Sequence, residues 1–149
     1  MEFTFRLIGI GWAEVTIGDD HHRLRMRASY LFDALGDLLG ALELLLNGQK
    51  EASSSMLDEP GQHLWLFTAS DDSVFLRILQ LEEWTVIDPQ STGSTVFETT
   101  QPLDEVARAI VAGAEAALGV YGPDAYYEEW VYHPFPIARL QRLKDRLGT

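Results

Sequence analysis

The residues of this chain that could do chemistry are its four histidines, its adjacent carboxylate pairs and a run of three serines. His21 and His22 follow Asp19 and Asp20 directly. Neighbouring side chains of a strand point to opposite faces, so the two imidazoles do not close on one ion, and an Asp-Asp run between apolar stretches is foremost a turn former. His63 opens an apolar stretch and His133 precedes Pro134, and neither has a partner visible at sequence spacing. They define the alternative reading of the chain, a small-molecule- or metal-binding domain with its site near His63 or His133. Glu82-Glu83 and Glu128-Glu129 diverge on helix and strand alike, which leaves no acid/base pair at the separation that glycoside cleavage needs. Ser53, Ser54 and Ser55 lack the G-x-S-x-G context of a nucleophile elbow. Gly9 and Gly11 are followed by neither a third glycine nor a helix, so they make no dinucleotide cradle. With no cysteine there is no thiolate nucleophile, no zinc–cysteine site and no disulfide. The expectation is a protein that is not an enzyme and holds no cofactor or metal.

Charge says more than any motif. The chain has 149 residues, 46% of them hydrophobic, and carries a net charge of −12. That length suits a single domain over residues 1–149, burying roughly two thirds of its unfolded surface without a metal or disulfide. Residues 28–138 hold 18 acids against Lys50, Arg77 and Arg108, while Arg23, Arg25 and Arg27 share one stretch and Arg139, Arg142, Lys144 and Arg146 crowd the C-terminus. A phosphate backbone would be repelled over most of such a surface, so nucleic acid is excluded and a basic protein is the natural complement. Asp19 and Asp20, with Asp71 and Asp72, fall at two turns. Asp124, Glu128 and Glu129 are interleaved with Tyr126, Tyr127, Trp130 and Tyr132, a mixture that offers both anchors and steering. These acids and Tyr126 are the candidate partner-binding residues. The opening MEFTFRLIGIG has no basic n-region or long apolar run, and the one strongly apolar stretch contains Asp33, Asp37 and Glu43; both observations predict a cytoplasmic protein with no membrane span.

The elements that must position these groups follow from periodicity. Ser29 to Gly48 reads as one long buried helix, apolar over most of its circumference, with Ser29 as N-cap and Gly48 just past its end. Before it come three strands. EFTFRLIGI places Phe3, Phe5 and Leu7 on one side, and WAEVTI and HRLRMRA flank the turn Gly18-Asp19-Asp20-His21. Pairing Ile17 with His22 makes an apolar inner row and an outer row in which Glu14 meets Arg25 and Trp12 meets Arg27. NGQKEASSSMLDEPG reads as a loop. QHLWLFTA and SVFLRILQL form a second hairpin around Ser70-Asp71-Asp72-Ser73, LEEWTVID extends it or turns away, and STVFETT is reached through the turn-rich DPQSTGS. PLDEVARAIVAGAEAALGVYG is a helix with Pro102 in its first turn and Leu103, Val106, Ile110, Ala114, Ala117 and Leu118 inward. PDAYYEEWVYHPFP is an aromatic connector, and Pro136 opens a basic terminal helix whose apolar face is Ile137, Leu140, Leu143 and Leu147. The fold class is α+β: a predominantly antiparallel sheet of about six strands, one long buried helix and two further helices, in the order βββ-α-βββ-α-α.

Glu59-Pro60-Gly61 followed by Trp65, the PLDEVARAI helix, and the tail with Gly122, Tyr126, Trp130, Pro134-Phe135-Pro136 and the Leu140, Leu143, Leu147 series together resemble a broad set of small cytoplasmic bacterial proteins, some of them similar to immunity proteins that neutralise a toxin. The resemblance implies a binding protein of immunity type; with the net charge and the absence of catalytic motifs, the expectation is a non-enzymatic acidic binder that occludes a basic protein partner. The resemblance transfers no binding residue.

Overall fold

The computed structural model describes residues 1–83 and 93–149. Its elements are β1 (Glu2–Gly9), β2 (Trp12–Gly18), β3 (Arg23–Ser29), α1 (Ala34–Leu46), β4 (Glu51–Asp58), β5 (Gly61–Ser70), β6 (Ser73–Leu81), β7 (Ser94–Pro102), α2 (Leu103–Glu129) and α3 (Ile137–Leu147). They form an α+β fold with two antiparallel sheets, ordered β1-β2-β3 and β4-β5-β6-β7. Phe3, Phe5 and Leu7 alternate inward from β1, and Phe3 meets Trp65 of the second sheet edge to face, with ring centroids 6.3 Å apart. Between β4 of the second sheet and the other two helices lies α1, with Leu35, Leu38, Leu39 and Leu42 wholly buried. That burial supplies the helix's stability, because so short a helix is marginal in water alone.

Several expectations change. The long helix starts at Ala34 instead of just after Ser29. Asp33 is its N-cap, accepting from the Gly36 amide at 3.3 Å, while Ser29 ends β3 and accepts from the Leu31 amide. The run expected as a loop contains β4, a seventh strand. Its serines carry little strand preference of their own, but pairing with β5 along Glu51–Asp58 satisfies the backbone, and Met56 and Leu57 are buried. The first-sheet register is offset by two residues, with Ile17 opposite Leu24 and Val15 opposite Met26. The cause is the turn. The Asp19 carboxylate accepts from the amides of His21 and His22 at 2.8 and 2.7 Å, and the Asp19 amide bonds the His22 carbonyl, so residues 19–22 all leave the ladder. A two-residue offset preserves which face is buried, so Arg27 still stacks over Trp12 at 4.8 Å and Glu14 still meets Arg25, with Arg6 closer at 2.9 Å.

The aromatic connector is the fourth correction. Gly122, at φ 72° and ψ 166°, breaks the second helix, but the chain resumes helical geometry at Pro123 and keeps it to Glu129. Proline suits the first position of a helical stretch because its missing amide would be unpaired there. Pro102, in turn, closes β7 and stands at the N-cap instead of in the first turn. The expected course of residues 84–92 lies outside the described residues, whereas STVFETT forms β7.

Two close approaches fix α2 against the first sheet. A Cβ on Gly113 would come within 2.4 Å of the Phe3 carbonyl oxygen, so the helix reaches β1 only with glycine there. The Tyr121 hydroxyl accepts from the Leu7 amide at 2.8 Å and donates to the Leu7 carbonyl at 3.4 Å. The basic α3 runs beside α1. Glu43 receives Arg139 and Arg142, Arg146 donates to the Leu46 carbonyl, and Leu140, Leu143 and Leu147 are buried beneath. Among the described residues no helix is long and apolar enough to cross a membrane.

Candidate partner-binding surfaces

The structure divides the sequence-predicted site residues into two groups at opposite ends of β2. The first group is the hairpin tips. Besides its two amide bonds, the Asp19 carboxylate takes a side-chain hydrogen bond from Thr99 of β7; with the His22 amide the largest contributor, these donors lower its pKa to about 2. Thr99 is three residues before Pro102, and Pro102 lies opposite Ser73 at the start of β6, beside Asp71 and Asp72. The two tips therefore flank the same half of β7. The Leu103 amide bonds the Asp72 carbonyl at 2.8 Å, which ties the second tip to the start of α2 and its first-turn acids Asp104 and Glu105. Asp20, Asp71 and Asp72 are exposed, and Asp71 adopts a left-handed backbone at φ 54°.

The second group lies where β1 turns into β2, a strand's length or about 23 Å from the first tip at the usual rise of a strand. The Gly11 amide there bonds the Glu129 carbonyl at 2.8 Å. Tyr126 does not reach this surface, which corrects its place among the candidates. It is 0% exposed, packed edge to face on Phe135, and its buried hydroxyl has no partner. Trp130 is equally buried against Phe5. Residues four apart on a helix share a face, so the inward face of the resumed helix takes Tyr126 and Trp130 while Asp124, Tyr127 and Glu128 face outward. Sequence alone could have separated these sets by that spacing, had the connector been read as helical. It could not have shown that the stretches of Ile10 and Tyr30 are bonded side by side with the end of that helix.

Neither histidine outside the turns assembles a site. His63 is buried opposite Met56 and Gln80, its Nδ1 without a partner, and burial lowers its pKa against the opposing pull of Asp58. His133 donates from Nε2 to the Tyr30 carbonyl at 2.6 Å. Among the described residues no three His, Asp or Glu side chains converge as metal ligands. A polar crevice of about 470 Å³ between α1 and β4 holds Asp37, Arg139 and Ser53 to Ser55. Burial and the neighbouring Asp33 raise the pKa of Asp37.

Among solved structures the chain is similar to one in a toxin and immunity complex from Enterobacter cloacae, CdiA-CT/CdiI. The two share 13% identity with a TM-score of 0.48, over 77% of this chain and 94% of that one. No protein-family model and no curated protein matches the chain.

Proposed function

We propose that this is a non-enzymatic binding protein of immunity type, acting in the cytoplasm by occluding a basic protein partner. The observation that carries the reading is where the charges go. Eight of the eleven basic residues form ion pairs with the molecule's own carboxylates, Arg77 bonds Thr95, and Arg146 bonds Asn47. Each exposed pair adds little stability. Together they place most of the cations beside the molecule's own acceptors, while Asp20, Asp71, Asp72, Asp124, Glu128 and Glu129 meet no cation among the described residues. The resulting negative field draws a basic surface and speeds its association.

The test is recovery of partners from a lysate of the protein's own source at low and high salt, repeated with Asp19, Asp20, Asp71 and Asp72 reversed to lysine. One dominant basic protein that is lost at high salt and weakened by the reversals is expected. A partner of neutral or acidic character would overturn the reading. The second reading, a ligand or metal site at His63, is favoured by one observation, the buried and unpartnered Nδ1. A shift in unfolding temperature with divalent ions, abolished in His63→Gln, would support it, and a flat response is expected.

A further inference from the structure

Three separate stretches come together at the β1–β2 turn, and each carries large side chains open to solvent. Ile10 is 78% exposed, Tyr132 70% and Tyr127 43%, with Tyr30 and Leu31 also open to solvent. Backbone bonds hold these stretches side by side: Tyr30 amide to Gly11 carbonyl at 3.0 Å, Tyr132 amide to Tyr127 carbonyl at 2.7 Å, and Gly11 amide to Glu129 carbonyl. The Tyr127 and Tyr132 rings lie 5.3 Å apart at 49°. Large apolar residues scattered singly over a surface need no explanation, but a contiguous group does. This one also carries strain, because Val131 and Tyr132 sit at φ 50° and 66°, a region that a β-branched residue strongly disfavours. Tyr132 is thus held outward by a conformation that costs energy.

The rim is acidic. Asp124, Tyr127 and Glu128 are three and four residues apart on the outward helix face, Glu129 borders Ile10 through Gly11, and none of the three acids has an ion-pair partner among the described residues. The tips lack this combination, since no large exposed apolar side chain stands on either of them. Resting on the reading of the chain as a binder of a basic protein, we propose that the face of Ile10, Tyr30, Tyr127 and Tyr132 is the anchor site, and that its occupant is an arginine-bearing segment of the partner. A guanidinium is planar and weakly hydrated, so it stacks on the tyrosine rings while its N–H groups donate to Asp124 and Glu128. A lysine ammonium holds its water more tightly and matches neither geometry. The acidic tips then steer the encounter, and the rings retain the partner.

The experiment is an amide-resolved NMR titration of the isotope-labelled protein with acetylated, amidated hexa-arginine, using hexalysine and hexaserine as comparison peptides at low salt. Expected are shifts centred on Ile10, Tyr30, Tyr127 and Tyr132, tighter binding of hexa-arginine than of hexalysine, and a loss of about tenfold when Tyr127 and Tyr132 both become alanine. Phenylalanine at both positions keeps the rings and is expected to keep the affinity, which separates the stacking role from a general disturbance. Shifts confined to Asp19, Asp20, Asp71 and Asp72, or equal binding of the two cationic peptides, would overturn the anchor and leave the acidic-binder reading in place. No response to either cationic peptide would overturn both.

Discussion

The two ends of the three-stranded sheet use their carboxylates in different ways. At the hairpin tips acids are also structural: the Asp19 carboxylate closes its own turn with two hydrogen bonds and reaches Thr99 of β7, and Asp72 accepts the first amide of α2 through its backbone. At the β1–β2 turn the Glu129 carbonyl accepts the Gly11 amide, but the carboxylates of Asp124, Glu128 and Glu129 form no ion pair among the described residues, and exposed tyrosines stand near them. The tips combine charge with a folding role, whereas the other end combines charge with apolar area. Charge by itself raises association rates, and desolvated aromatic area retains what arrives. A surface that does both by dividing the tasks has two separable sets of mutations.

The largest expected effect tests what holds the two ends in place. Leu38→Ala removes a wholly buried side chain from α1 and should cost about 2 to 5 kcal/mol in denaturant unfolding, with both ends losing binding together. A loss below about 1 kcal/mol would mean that the site collapses around the cavity at little cost. Next, reversing Asp20, Asp71 and Asp72 to lysine, which spares the turn-closing Asp19, should slow association with a basic partner roughly tenfold or more at low salt and leave its dissociation rate nearly unchanged. A change mainly in dissociation would assign anchoring to the tips and erase the division between the ends. Asp19→Ala should then show the structural half of the tip's role. It should cost about 1 kcal/mol through the unpaired turn amides. Because the folded-state pKa of Asp19 lies below the ordinary value of 3.8, the stability it confers is present above that value and is lost as pH falls toward about 2. The mutant's stability should fall less steeply than the parent's over that window, as read by unfolding at a series of pH values.

The smallest effect comes from His63, which lies at neither end. Its folded pKa is lowered from 6.5, so the unfolded chain takes up the proton more readily and stability falls as pH drops below that value. His63→Gln should remove that slope without changing binding at either surface.

Much of the fold was legible because periodicity survives small errors. The two-residue offset in the first hairpin left Val15 and Ile17 inside and Arg25 and Arg27 outside, since a strand's faces alternate with period two. The second hairpin was legible from Ser70 to Ser73 because a two-residue Asp-Asp turn admits few alternatives. What stayed hidden depended on partners distant in sequence. Ser53 to Ser55 have the composition of a loop, and only β5 makes them a strand. Gly122 and Pro123 read as a stop, and the chain instead uses them to redirect a helix whose next turn buries Tyr126 and Trp130. Of the candidate site residues the acids were chosen from charge alone, and Tyr126 was placed on the surface because its helical phase was unknown, whereas it is buried. Tyr132 was grouped with Tyr127 from the sequence, but Ile10 and Tyr30 were not, because backbone bonds between separate stretches bring those stretches together and sequence spacing carries no trace of such bonds.

Tyr121 has a consequence for the life of the molecule at high concentration. β1 ends its sheet, with β2 on one side only, and such a border invites another chain to add a strand. By accepting from the Leu7 amide and donating to the Leu7 carbonyl, the phenol makes the same two bonds that a neighbouring strand would make at that residue. A side chain therefore occupies one rung of a ladder that would otherwise stand open, and growth of an intermolecular sheet along β1 is stopped at that rung.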